Sequence, residues 1–217
     1  MRPSALLFVA AASVAAGFAI AALARGDRPG FVFFKPLTTL VILFGAAFLV
    51  QPGGQPYRGL VVLALAASLA GDVLLVLPGD RFAAGLGAFL LAHVVYIAAF
   101  TLGVPFAPPQ LVALVPWILV CGGATAFAWR GLGRHRAAVA CYTAVIAAMG
   151  WRAAMRGQSL AVPRASFLLA LAGASLFVVS DVVLAIRRFR FAFRGAHELE
   201  LAAYWAAQLL IALSIRT

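Results

Sequence analysis

The sequence predicts an all-α membrane protein, a bundle of about eight transmembrane helices in one domain spanning residues 1–217. Three observations predict it. Apolar residues fill 65% of the positions and charged ones 11%, and the mean hydropathy is +1.06, far outside the range of a soluble domain. The apolar runs reach roughly 20 residues, the length a helix needs to cross a hydrocarbon core about 30 Å thick. The links are short and place Gly and Pro where helices should stop, as in QPGGQPY (51–57), LPGD (77–80) and VPFAPPQ (104–110).

Eight runs can be marked, at residues 4–24, 31–50, 58–78, 82–104, 110–129, 136–155, 165–186 and 198–215. The first follows Arg2 and ends in ALA (22–24), as a secretory signal would, but its apolar core is longer than a signal's and it reads as a retained helix. The second opens with Lys35, the single lysine beside sixteen arginines. The third contains SLAGDVLLVL (68–77), in which Asp72 is the only charge between Arg58 and Asp80. His93 and Tyr96 lie mid-way along the fourth, on one face. The fifth and sixth hold Cys121 and Cys141, which read as small apolar side chains and imply no disulfide. The seventh carries Asp181 shortly before Arg187 and Arg188, and the eighth places Glu200, Tyr204 and Gln208 on one face at spacings of four.

The net charge of +11 suggests nucleic acid at first sight, yet the arginines sit in short loops between spans and make no continuous basic surface. They are topology signals. Loops after runs one, three, five and seven hold Arg25, Arg28, Arg81, Arg130, Arg134, Arg136, Arg187, Arg188, Arg190 and Arg194. The other side holds Arg2, Arg58, Arg152, Arg156, Arg164 and Arg216, so the positive-inside rule expects both termini outside, as in a bacterial inner membrane.

A carboxylate at bilayer depth costs at least about 2.5–3.5 kcal/mol on insertion scales, and two of them at equal depth default to function. Asp72 and Asp181 both lie toward the arginine-rich side, with Lys35, His93, Tyr96, Tyr204 and Gln208. The opposite half reads as nearly all aliphatic, so a one-ended polar cavity on the cytoplasmic side is expected. GDVLL (71–75) also echoes SDVVL (180–184), which suggests two four-helix repeats that bring the aspartates face to face. Three histidines, with no HExxH, paired cysteines or GxSxG, give no metal site, and no cofactor cradle is visible.

FFKPLTTL (33–40), AGDVLL (70–75), FLLAHVVY (89–96), SDVVLAIRRF (180–189) and YWAAQLLIALS (204–214), in this order, resemble the YhhN-like lysoplasmalogenase family. The resemblance implies an integral membrane hydrolase that cleaves the vinyl-ether bond of lysoplasmalogens to a fatty aldehyde and a glycerophospho-base. Its polar residues then fall on Lys35, Asp72, His93, Tyr96, Asp181, Tyr204 and Gln208, with a lysophospholipid as partner and no cofactor. Vinyl-ether hydrolysis needs an acid and a negative group beside the cation, as paired carboxylates supply in glycosidases. Asp72 and Asp181 are the expected pair, with Lys35, His93, Tyr96, Tyr204 and Gln208 around substrate and water and Arg187 and Arg188 at the phosphate. The residues also fit a small proton-coupled transporter, or a scaffold in which Lys35 and Asp72 only fix helix packing.

Overall fold

The computed structural model describes residues 3–49, 55–106 and 108–215; Arg2, Arg216 and most of the QPGGQPY link lie outside them. Among the described residues every regular element is helical: α1 (Pro3–Ala24), α2 (Arg28–Phe44), α3 (Gln55–Val76), α4 (Phe82–Thr101), α5 (Val115–Ala128), α6 (Arg136–Met155), α7 (Arg164–Phe189) and α8 (Ala196–Leu213). Seven, α1 to α7 with their short extensions, are long and apolar enough to cross a membrane. The eighth, α8, is the most polar at its start and packs along α7.

Local chemistry sets the ends. The Asp27 carboxylate accepts from the Gly30 backbone N–H at 3.0 Å, and Pro29 occupies the first turn of α2, where its missing N–H is harmless. Pro36 interrupts the backbone ladder one residue after Lys35, and α2 closes in a π-helical turn at Gly45–Leu49. The turn into α8 needs a left-handed residue, which Gly195 supplies at φ 78°.

Consecutive helices run antiparallel, and the hairpins α1–α2, α3–α4 and α7–α8 are the tightest pairings. Small residues permit this closeness, since no water-driven force holds helices together in lipid. A Cβ added at Gly173 would lie 2.9 Å from the Ala207 carbonyl oxygen on α8, and one added at Gly71 would lie 2.7 Å from the Phe89 ring on α4. The core is correspondingly rich in fully buried alanines around Phe100, Phe177, Tyr96 and Trp205. The N-terminal ends of α2, α4, α6 and α8 thereby share one end of the bundle with the C-terminal ends of α3 and α7, where both aspartates reside.

Candidate functional site

Asp72 is fully buried on α3 and is surrounded by donors from α2 and α8. Lys35 Nζ stands 3.2 Å from its Oδ1, while the Thr39 hydroxyl at 2.5 Å and the Tyr204 hydroxyl at 2.8 Å both donate to Oδ2. Trp205 Nε1 in turn donates to Thr39 Oγ1 at 3.3 Å and fixes it. A cation and two donors are what a carboxylate needs to stay ionised away from water.

Asp181 has different company. It lies on α7 with 14% of its side chain exposed, and the Tyr142 hydroxyl of α6 donates to Oδ2 at 2.9 Å. His93 Nε2, from α4, stands 3.5 Å from the same oxygen. The other imidazole nitrogen, Nδ1, is 2.6 Å from the Phe89 carbonyl, which can only accept, so Nδ1 is assigned the hydrogen. Nε2 of the neutral ring is then an acceptor that faces the Asp181 carboxyl without a hydrogen bond at this distance.

Both carboxylates line a single cleft, walled by Phe89, Phe177 and Tyr204 and reached by Ser180 and Glu200. Tyr204 meets the Phe89 and Phe177 rings edge to face at 5.7 Å and 5.5 Å, and the three rings form an aromatic wall of the cleft. Above it opens a wider vestibule, lined by Lys35, Arg81, Arg187, Arg188, His197 and Glu200, among others. Arg187 is engaged there, its Nε 2.7 Å from Glu200 Oε2. Arg188, 47% exposed, stacks over Phe82 at 4.9 Å and reaches Asp80 at 3.9 Å.

A model of the YhhN family matches residues 30–215. The chain belongs to the YhhN family. It is 33% identical to the "uncharacterized membrane protein YhhN" of Escherichia coli O6:H1 over 186 residues, which are 84% of this chain and 85% of that protein. It is similar to lysoplasmalogenase TMEM86B of Homo sapiens, 35% identical over 81% of this chain and 71% of the relative. Lysoplasmalogenase TMEM86A of Bos taurus is 33% identical over 82% of this chain and 72% of the relative. No solved structure matches the chain. The cleft and vestibule residues all fall within the stretch that the YhhN family model matches, whereas α1 precedes it.

Of the sequence-derived residues in this YhhN-family chain, the structure gathers Lys35, Asp72, Asp181 and Tyr204 at the cleft and Lys35, Arg187 and Arg188 at the vestibule. His93 stands behind Asp181 as its partner. Tyr96 and Gln208 lie deeper, fully buried, with the Tyr96 hydroxyl donating to Gln208 Oε1. Sequence reasoning missed Thr39, Tyr142, Arg81 and His197. Thr39 sits in the quoted FFKPLTTL motif, one turn after Lys35, and the i, i+4 spacing could have placed it on the same face. Tyr142 left no signal, being one aromatic in a helix without a motif.

The surroundings of the two acids correspond. Asp72 on α3 is held from α2 and α8, and Asp181 on α7 from α6 and α4; a shift of four helices converts one set into the other.

The expectation of an aliphatic opposite half needs correction. Arg152 and Arg156 are buried there at the end of α6. Arg152 donates to Thr101 Oγ1 at 3.1 Å and to the Val104 carbonyl at 3.0 Å, where α4 has ended and its carbonyls need donors. Arg156 lies 4.2 Å over the Tyr57 ring and donates to Ser166, and the Tyr57 hydroxyl bonds Ser214 at 2.7 Å. As charges near a helix end they read as topology signals, because sequence position does not reveal which way a long side chain turns.

Proposed function

We propose that this protein hydrolyses the vinyl-ether bond of a lysoplasmalogen, with Asp181 as proton donor and Asp72 as the ionised partner, in a cleft that opens to the cytoplasm. The observation that carries this reading is the pairing of unlike carboxylates in one cleft: Asp72 is supplied with a lysine and two hydroxyls, Asp181 with a histidine and one hydroxyl. The names of the lysoplasmalogenase relatives support the same chemistry. Different surroundings divide two carboxyl groups into an acid and a base.

Asp181 delivers its proton to the alkene carbon remote from the ether oxygen, forming a C–H bond from the π pair. The positive charge is then shared between the adjoining carbon and the oxygen. Asp72 and the aromatic rings of the cleft wall stabilise that cation electrostatically. Water adds to the charged carbon and returns a proton to Asp181, and the hemiacetal so formed breaks to a fatty aldehyde and the glycerol hydroxyl. One water is consumed and the acid is regenerated. The phosphate of the glycerophospho-base rests in the vestibule, where Arg188 and Arg81 are not committed to a buried carboxylate as Arg187 is.

Purified protein in detergent, with no gradient, is expected to release aldehyde from a 1-alkenyl lysophospholipid and none from its saturated 1-alkyl analogue. Absence of aldehyde in detergent, with flux only across a membrane, would mark a carrier instead. Arg188→Ala is expected to raise KM by about tenfold with kcat little changed, as the loss of one charged contact to phosphate implies. A fall in kcat alone would remove Arg188 from the phosphate site.

A further inference from the structure

A third pocket lies between α5, α6 and α7. Its wall is Cys121, Ala124, Val139, Ile146, Val178, Val182 and Ala185, with Tyr142 and two threonines. Asp181 is the residue it shares with the catalytic cleft, and Tyr142, which bonds Asp181, lines it as well. The threonines offer nothing to a polar ligand: the Thr125 and Thr143 hydroxyls bond each other at 2.6 Å, and Thr143 also donates to the Val139 carbonyl at 2.7 Å. The polar groups left at this space are the Asp181 carboxyl at its inner end, the Tyr142 hydroxyl bonded to it and the Cys121 thiol. On its outer side Ile118 and Leu119 of α5 are 52% and 68% exposed, as lipid-facing side chains are.

We infer that the α5–α6–α7 cavity receives the aliphatic chain of the lipid, with Ala124 and Ala185 setting the chain length it admits. The inference rests on the lysolipid reading above and adds the direction in which the substrate lies. A single-chain amphiphile has one charged end and one apolar end, and this protein places a basic vestibule and an apolar cavity on either side of the carboxylate pair. With phosphate at the vestibule and chain in the cavity, the vinyl-ether bond between them falls beside Asp181. The wall limits the chain that fits, so chain length should be read in kcat/KM up to the point where the wall is met. The half-buried alanines at 124 and 185 are small enough to leave the cavity open toward the bilayer, and larger side chains there would shorten it.

The test has two arms. A 1-O-alkyl lysophosphoethanolamine carrying a diazirine at the chain terminus, which cannot be hydrolysed, is photolysed on wild-type protein and the labelled peptides are mapped by mass spectrometry. Label on α5 and α6 between residues 115 and 146 is expected; label confined to α1 and α2 would overturn the assignment. In the second arm, Ala185→Phe and Ala124→Phe are assayed on alkenyl substrates of long and short chain. The ratio of kcat/KM for long over short chains should fall at least tenfold in either variant, and an unchanged ratio in folded protein would overturn the assignment. Label in the cavity without aldehyde release defeats the hydrolase reading and leaves the chain site standing. Aldehyde release with label elsewhere does the reverse.

Discussion

Asp181→Asn protein is expected to fold, to bind lysophospholipid with near wild-type KM, and to release aldehyde about 10²–10⁴-fold more slowly, the span that one positioned general acid contributes. Asparagine keeps the shape, and its carbonyl can still accept from the Tyr142 hydroxyl that holds Asp181 at 2.9 Å. Because Asp181 as proton donor is neutral, the neutral amide removes no charge from the site. What the amide lacks is a proton to give to carbon. The loss should therefore appear in kcat and kcat/KM together, as it does when an interaction made only in the transition state is removed. His93→Gln should slow the same step if the imidazole positions the Asp181 carboxyl, since His93 Nε2 stands 3.5 Å from it. Aldehyde release at the wild-type rate by folded Asp181→Asn protein would end the role of Asp181 as acid.

Hydropathy placed the helices because span length is a property of a run of residues, and the eight runs match α1 to α8 with ends displaced by a few residues. It carries much less about rotation of each helix around its axis. Asp72 and Asp181 were legible as a pair because a charge among aliphatics is costly wherever it points. Tyr142 was not, since a tyrosine can face lipid headgroups or a carboxylate without altering the pattern around it. Arg187 shows the same limit: its charge was read correctly, but its partner, Glu200, comes from the next helix and fixes the guanidinium at the vestibule wall. Arg152 and Arg156 turn inward to a carbonyl and hydroxyls that only the packing of α4, α6 and α7 brings near.

Lys35→Met should have the larger effect on stability. It removes the cation 3.2 Å from Asp72 and leaves a fully buried carboxylate with only the Thr39 and Tyr204 hydroxyls, a loss of about 3–5 kcal/mol when one partner of a buried pair is deleted. The measurement is the thermal or denaturant midpoint in one fixed detergent. Adding Asp72→Asn to Lys35→Met should regain most of that stability, because the asparagine carbonyl still accepts from both hydroxyls and no charge remains to be neutralised. Aldehyde release should not return with it. The pair thus separates two demands on one residue: packing asks only that the charge at 72 be matched or absent, whereas stabilising an oxocarbenium ion asks that it be present. If Lys35→Met melts like wild type, Lys35 does not hold Asp72. If the double variant turns over at the wild-type rate, Asp72 has no part in the chemistry, and its place among leucines and valines is a matter of helix packing alone.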